Sequence, residues 1–120
     1  MSKVLRINMD DLSHKWESVK AGHKTYAGRA FTSTILSEEV DPTCHPLREY
    51  NKIAISPGLL AGTLAPSSGR LSVGAKSPLT GGIKEANAGG LTGTKLASIG
   101  IRGIVRELCH KIPKTGIAYL

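Results

Sequence analysis

Residues 57–103 read PGLLAGTLAPSSGRLSVGAKSPLTGGIKEANAGGLTGTKLASIGIRG, and they contain eleven of the fourteen glycines in the 120-residue chain. Glycine lets the backbone approach a ligand closely and direct its N–H groups toward it, as in many phosphate sites. Glu85 is the only acidic residue of the stretch, against five basic residues and no aromatic residue, so the local charge favours an anion. Apolar residues recur between the glycines, which favours a folded segment over a flexible linker or a string of turns.

Short strands are predicted before, within and after this stretch. Alternating polarity indicates strands near the start of the chain and in the middle of the stretch, and the run KIAIS is typical of a short buried strand. The predicted strands are residues 3–9, 16–19, 52–56, 70–76, 101–108 and 117–120, with the first two forming a hairpin.

A first helix is predicted over residues 24–40. Tyr26, Phe31 and Ile35 fall near the three- to four-residue spacing of one helical face. The sequence Asp41-Pro42 is expected to end the helix, because proline lacks the N–H that the next turn would need.

A second helix is predicted over residues 91–99. Thr92 or Thr94 is expected to cap its start, and Gly100 stands where a residue just beyond a helix end is usually found. A helix start behind a glycine turn offers free N–H groups to an anion. Together these elements predict a β-rich α+β fold with short helices.

The composition predicts one domain spanning residues 1–120, with a core built mostly from aliphatic side chains. The net charge of +7 indicates an anionic partner, which leaves nucleic acid, a phosphorylated cofactor or an acidic protein surface open. The basic residues are scattered singly, which disfavours a nucleic-acid-binding tail. No segment approaches the roughly 18 apolar residues of a membrane span and no signal-peptide pattern opens the chain, so a cytoplasmic protein is expected.

The two cysteines do not predict a metal site. Cys44 and Cys109 are each followed directly by histidine, whereas zinc-binding motifs separate their ligands by a spacer. A disulfide between them is not expected in a reducing compartment.

Three motifs of the glycine-rich stretch resemble a known family. GLLAGTLAPSSGR (58–70), AKSPLTGG (75–82) and EANAGG (85–90), in this order and spacing, are similar to the N-terminal domain of the aldehyde ferredoxin oxidoreductases. These are tungsten enzymes with a bis-pterin cofactor. The flanking segments VLRINMDD, YAGRAF and EVDPTCHPLREYNKIAIS also resemble the family, so the likeness covers nearly the whole chain.

The resemblance implies a two-layer β domain that binds two pyranopterins whose phosphates are bridged by magnesium. By position in the family motifs, Arg70, Asn87 and Gly89 would bind the cofactor, and the backbone carbonyl of Asn87 would bind the magnesium. The metal would be tungsten or molybdenum. A permanently charged arginine suits a phosphate or pterin oxygen, and glycine permits close approach. One departure is Ala30, where the family usually has glycine after the arginine of YAGRAF.

The resemblance also implies a function as part of a larger enzyme that oxidises aldehydes to carboxylates and passes electrons to ferredoxin. The sequence lacks the family's cysteine cluster for a [4Fe–4S] centre, its second cofactor-binding segment and its acid–base residues. The chain is therefore expected to be a fragment or separate subunit that is inactive alone. Its expected partners are the remainder of the enzyme or another subunit, and a homodimer is also considered.

A second hypothesis is a small basic module without catalytic activity that binds nucleic acid or a phosphorylated ligand through the glycine-rich face. The charge favours it, whereas the missing aromatic residues disfavour it because single-stranded nucleic acids commonly stack on them. A third is a degenerate relative that keeps the fold and binds nothing.

Overall fold

The structure is a computed structural model that describes residues 2–107. The strand expected over 117–120 and the Cys109-His110 pair lie outside the described residues. Within them the chain forms strands β1 (Lys3–Asn8), β2 (Ser13–Ser18), β3 (Lys52–Pro57), β4 (Leu71–Lys76), β5 (Ile83–Ala88) and β6 (Ile101–Glu107), and helices α1 (Arg29–Glu39) and α2 (Leu91–Ser98).

The six strands form one mixed sheet in the order β2-β1-β6-β3-β4-β5. The pair β1–β6 is parallel and the other neighbouring pairs are antiparallel. The expected hairpin of β1 and β2 is present. The β-rich α+β class predicted from the sequence is confirmed, with α1 packed against β3, β4 and β5.

The core lies between α1 and one face of the sheet. Phe31 and Leu36 of α1 are almost fully buried there, together with Ala54 and Val105 of the sheet. Gly103 of β6 lies directly under Phe31, and an added Cβ would overlap the Phe31 ring. Glycine at this position therefore lets the helix approach the sheet.

The other face of the sheet carries most of the branched apolar side chains. By strand alternation, Ile53 and Ile55 of β3, Val73 of β4 and Ile104 of β6 lie on this face, and all four stay half-buried. In β4 the side chains that face α1 are instead small or polar, and Ser72 and Lys76 are buried. The alternation predicted a strand here correctly, but the face that α1 covers is the polar one.

Helix α1 begins at Arg29, five residues later than predicted. Gly28 has φ +57° and donates its N–H to the carbonyl of Pro57, which fixes a turn at this point. Tyr26 precedes the turn and stacks on His23, with ring centroids 5.5 Å apart, so it lies outside the helical face to which it was assigned.

Helix α2 matches its predicted extent to within one residue, but its predicted cap is wrong. Gly90 is the N-cap residue and no side chain caps the helix, so neither Thr92 nor Thr94 has that role. Gly100, with φ +83°, follows the helix end as predicted. Strand β5 was not predicted, because its polar sequence gives little strand signal and it forms by pairing with β4.

Candidate cofactor-binding site

A hollow of about 530 Å³ lies where the β4–β5 hairpin meets the start of α2. Two glycine-rich segments line it, one between Gly62 and Arg70 and the other between Gly89 and Thr94. Leu71 is the first residue of β4 and pairs with Ala88, the last residue of β5. The register therefore brings Arg70 and Gly89, one position further on, to the same end of the hairpin.

Glycines allow the two segments to pack backbone against backbone. A Cβ at Gly69 would lie 2.6 Å from the carbonyl oxygen of Gly90, and a Cβ at Gly93 would lie 2.6 Å from that of Arg70. Both distances are too short for any side chain. At Gly89 a Cβ would lie 3.4 Å from Nη1 of Arg70, so this glycine stands in van der Waals range of the guanidinium.

The hollow suits an anion. Arg70 contributes its permanent positive charge, and none of the described residues that line the hollow is acidic. The start of α2 lies at the hollow, which Gly90 and Leu91 line, and no side chain caps its first backbone N–H groups. The one acidic residue of the stretch, Glu85, is paired with Arg29 at the start of α1.

Asn87 lies near the hollow without lining it. It stands on β5 two residues before Gly89, and its Oδ1 accepts a hydrogen bond of 2.7 Å from Oγ of Ser72. Of the three residues assigned from the sequence, Arg70 and Gly89 therefore share one hollow, and Asn87 flanks it on the adjacent strand.

Three features of the site were not identified from the sequence. The loop between Gly62 and Ser68 forms one wall, Thr94 lines the hollow, and Ser72 is the partner of Asn87. The loop and Thr94 come together only in the tertiary structure. Ser72 stands opposite Asn87 in the β4–β5 register, and this pairing could not be assigned because β5 was not predicted.

Lys76 and Cys44 lie away from the hollow. Lys76 is buried, and its Nζ donates to the backbone carbonyls of Pro42 and Cys44, so it holds the loop after α1. Cys44 is a half-buried free thiol. Within residues 2–107 no three His, Cys, Asp or Glu side chains are arranged to hold a metal ion. A second hollow, of about 440 Å³, includes Glu39 and Asp41 in a wall rich in carboxylates, which does not suit an anion.

Comparison with known proteins identifies the family. A family model described as aldehyde ferredoxin oxidoreductase, N-terminal domain, matches residues 4–109. The chain belongs to this family. It is similar to the tungsten-containing aldehyde ferredoxin oxidoreductases of Pyrococcus furiosus, at 38% identity over 107 residues, and of Pyrococcus horikoshii, at 39%. Each alignment covers 88% of this chain but only 18% of the relative, so the chain spans a small part of those proteins.

The fold also matches a solved member of a larger assembly. The active site complex BamBC of benzoyl coenzyme A reductase, in complex with 1,5-dienoyl-CoA, superimposes with a TM-score of 0.83 at 25% identity. The match covers 88% of this chain and 16% of that one. It supports an aldehyde ferredoxin oxidoreductase N-terminal fold for residues 2–107.

Within residues 2–107, neither α1 nor α2 has the length and apolar character needed to cross a membrane.

Proposed function

We propose that this chain is the cofactor-binding domain of an aldehyde ferredoxin oxidoreductase-like enzyme. Its ligand would be a bis-pterin cofactor of tungsten or molybdenum, with the phosphate end held in the hollow between the β4–β5 hairpin and α2. The observation that carries the proposal is the convergence of Arg70, the Gly89-Gly90 backbone and the uncapped start of α2 on one hollow.

The residues fit the phosphate part of such a group. Arg70 would bind a phosphate or pterin oxygen as a planar donor, and Gly89 would let the ligand approach the backbone. The backbone carbonyl of Asn87 would be one oxygen ligand of a magnesium ion whose other ligands are phosphates and water, in keeping with the preference of Mg²⁺ for oxygen. The glycines at 69 and 93 support this role, because side chains there would push apart the two segments that form the hollow.

When bound, the cofactor would supply the oxidation of an aldehyde to a carboxylate, with water as the oxygen source. Electrons would leave through a [4Fe–4S] cluster to ferredoxin, and such a cluster takes four thiolates. These parts, together with the second half of the cofactor site, belong in this proposal to the rest of the enzyme or to a partner subunit. Purified alone, the chain is then expected to show no aldehyde oxidation with a dye acceptor.

The test is to express the chain in a host that makes bis-pterin cofactors and to measure tungsten, molybdenum, magnesium and oxidised pterin in the purified protein. We expect metal and pterin to co-purify, and Arg70→Ala to lower their content about fivefold or more, since a charge-assisted contact is lost. Arg48→Ala removes an exposed arginine from the loop between α1 and β3 and is the matched control. Equal contents in Arg70→Ala and the unaltered chain, or no pterin in either, would contradict the proposal.

The competing function is a small basic module that binds nucleic acid, which the net charge of +7 favours. The described wall of the hollow contains no aromatic side chain on which a base could stack. Filter binding across a salt series separates the two functions, because several phosphate contacts give a steep dependence of affinity on salt. Specific, salt-sensitive binding of oligonucleotides without co-purifying pterin would favour the module.

A further inference from the structure

Asn87 does not stand free beside the hollow, because a buried hydroxyl holds its side chain. Oγ of Ser72 donates a 2.7 Å hydrogen bond to Oδ1 of Asn87. The two residues are directly opposite in the β4–β5 register. Ser72 is only 5% exposed, whereas Asn87 is exposed to solvent. The contact therefore joins a fixed group on β4 to a solvent-facing group on the edge strand β5.

The direction of this hydrogen bond decides which end of the Asn87 amide is available. A carboxamide has an acceptor oxygen and a donor NH₂ group, which a half-turn of the side chain exchanges. Because Ser72 occupies the oxygen, the NH₂ group is the end left for another partner. A donor suits a phosphate oxygen, whereas a free amide oxygen would repel it.

Ser72 itself is packed too deeply to touch a ligand. A Cβ added at Gly28, the residue before α1, would lie 3.5 Å from its hydroxyl oxygen, so the turn that precedes α1 lies next to this hydroxyl. Any influence of Ser72 on the hollow must therefore pass through Asn87, the residue to which its hydroxyl donates.

We propose that Ser72 is a positioning residue that fixes the Asn87 side chain at the edge of the hollow, so that its NH₂ group can donate to the part of the anion that extends from Arg70 toward β5. This inference rests on the proposed function, since it assigns a role at the same hollow. It adds a side-chain contact from Asn87 to the backbone contact that the family motif implies, and it makes the affinity of that contact depend on a residue outside the glycine motifs.

The test is a calorimetric titration of the full 120-residue chain with magnesium pyrophosphate, combined with spectra of the ¹⁵N-labelled side-chain amides. Ser72→Ala is expected to weaken binding about fivefold, since the Asn87 side chain must then be ordered when the anion binds. Ser72→Cys, with a weaker donor of similar shape, is expected to fall in between. Ser98→Ala removes a surface hydroxyl that donates to the carbonyl of Lys95 and is the control.

A double-mutant cycle distinguishes positioning from a general loss of structure. If Ser72 acts through Asn87, Ser72→Ala should weaken binding in the unaltered chain but have no further effect in an Asn87→Ala background. The Asn87 NH₂ signals should shift on pyrophosphate addition in the unaltered chain and not in Ser72→Ala, while the backbone spectrum stays that of the folded chain.

The outcomes separate this inference from the proposed function. Two outcomes would overturn the role of Ser72 without contradicting the anion site. In the first, Ser72→Ala weakens binding equally in both backgrounds. In the second, Ser72→Ala does not weaken binding while Arg70→Ala abolishes it. No pyrophosphate binding by the unaltered chain overturns both.

Discussion

At the scale of single residues, the glycines of this chain serve different purposes. Gly93 is in the first turn of α2, where its Cα packs on the backbone of Arg70. Gly22 is in a short turn before α1, and an added Cβ there would meet nothing within 4 Å. The sequence shows both simply as glycine, but only the first is constrained by its surroundings.

Gly93→Ala is therefore expected to damage the hollow. A methyl group 2.6 Å from the Arg70 carbonyl must push α2 away from the hairpin. We expect a loss of about 1–2 kcal/mol in unfolding free energy, despite the better helix propensity of alanine, because overpacking outweighs it. Urea denaturation measures the stability, and pyrophosphate titration is expected to show weaker binding.

Gly22→Ala is the matched control, with an expected change within about 0.5 kcal/mol and unchanged binding. A Gly93→Ala variant as stable and as tight-binding as the unaltered chain would show that α2 does not need its close approach to Arg70.

The site residues could be assigned from the sequence only in part. Arg70, Asn87 and Gly89 came from their places in the family motifs, and no periodicity of the chain selects them over other residues of the stretch. The meeting of Arg70 with Gly89 follows from the β4–β5 register, but that register could not be assigned while β5 was missed. The contribution of Thr94 depends on how α2 packs, which no local pattern encodes.

At the scale of elements, an ion-pair cluster joins five elements at the edge of the α1-covered face. Arg6 of β1 contacts Glu17 of β2, Glu39 of α1 and Glu107 of β6. Lys52 of β3 also contacts Glu39. Burial by itself would raise the pKa of Glu39, but its hydrogen bonds and charge interactions with Arg6 and Lys52 outweigh burial and hold the pKa below the ordinary value.

This cluster predicts how stability depends on pH. Because the pKa of Glu39 is lower in the folded chain, its pairing stabilises the fold above the ordinary carboxyl pKa of 4.5 and is lost as the pH falls through the folded-state value. Glu39→Gln is expected to lower the unfolding free energy by about 1 kcal/mol at neutral pH, and the difference should shrink below pH 4.5 and vanish once Glu39 is protonated in the folded chain. Urea unfolding at several pH values measures it.

Glu38→Gln controls for the loss of a helix carboxylate, since Glu38 is more exposed and pairs with Lys20 and His23 instead. We expect its stability to follow that of the unaltered chain across the pH range. If Glu39→Gln showed the same profile as Glu38→Gln, the cluster would not contribute measurably to folding.

Most elements could be predicted from local patterns, and two failures have clear physical causes. The strands with alternating or β-branched runs and the helix α2 lie close to their predicted bounds. β5 was missed because an edge strand of polar residues owes its conformation to its neighbour β4. α1 was predicted to start too early because Tyr26 fits the helical spacing, while the positive φ of Gly28 ends the turn before the helix.

At the scale of the whole molecule, the two faces of the sheet differ in what covers them. α1 packs on one face, whereas the branched side chains of the other, including Ile55, Val73 and Ile104, stay half-buried within the described residues. Trp16 is 51% exposed and extends this apolar surface at the β2 edge. An apolar surface of this kind is typical of an interface, which agrees with the proposal that the chain works as part of a larger enzyme.

The face of the sheet opposite α1, which includes Ile55, Val73 and Ile104, is the open face. Its apolar surface predicts that the isolated chain self-associates. Sedimentation velocity is expected to show dimers or larger species at high concentration, and a dye that binds exposed apolar surface should fluoresce with it. Val73→Lys puts a charge in the middle of the face and is expected to shift the chain to monomer.

Leu79→Lys is the matched control, because Leu79 is 92% exposed in the β4–β5 turn, away from the face. We expect it to associate like the unaltered chain. An unaltered chain that is monomeric and binds no dye would show that the open face does not drive association.

The central position of β6 determines the order in which this sheet can assemble during synthesis. β6 stands between β1 and β3. It therefore joins the N-terminal hairpin to strands β3, β4 and β5, which carry the hollow. Before residues 101–107 leave the ribosome, the nascent chain therefore has two separate sets of strands. The edges of β1 and β3 that later pair with β6 are still unpaired. The first strand to be made is thus among the last to pair with its parallel neighbour. A chain cut short before β6 leaves strands β3 to β5, which carry the hollow, without their sheet connection to the N-terminal hairpin.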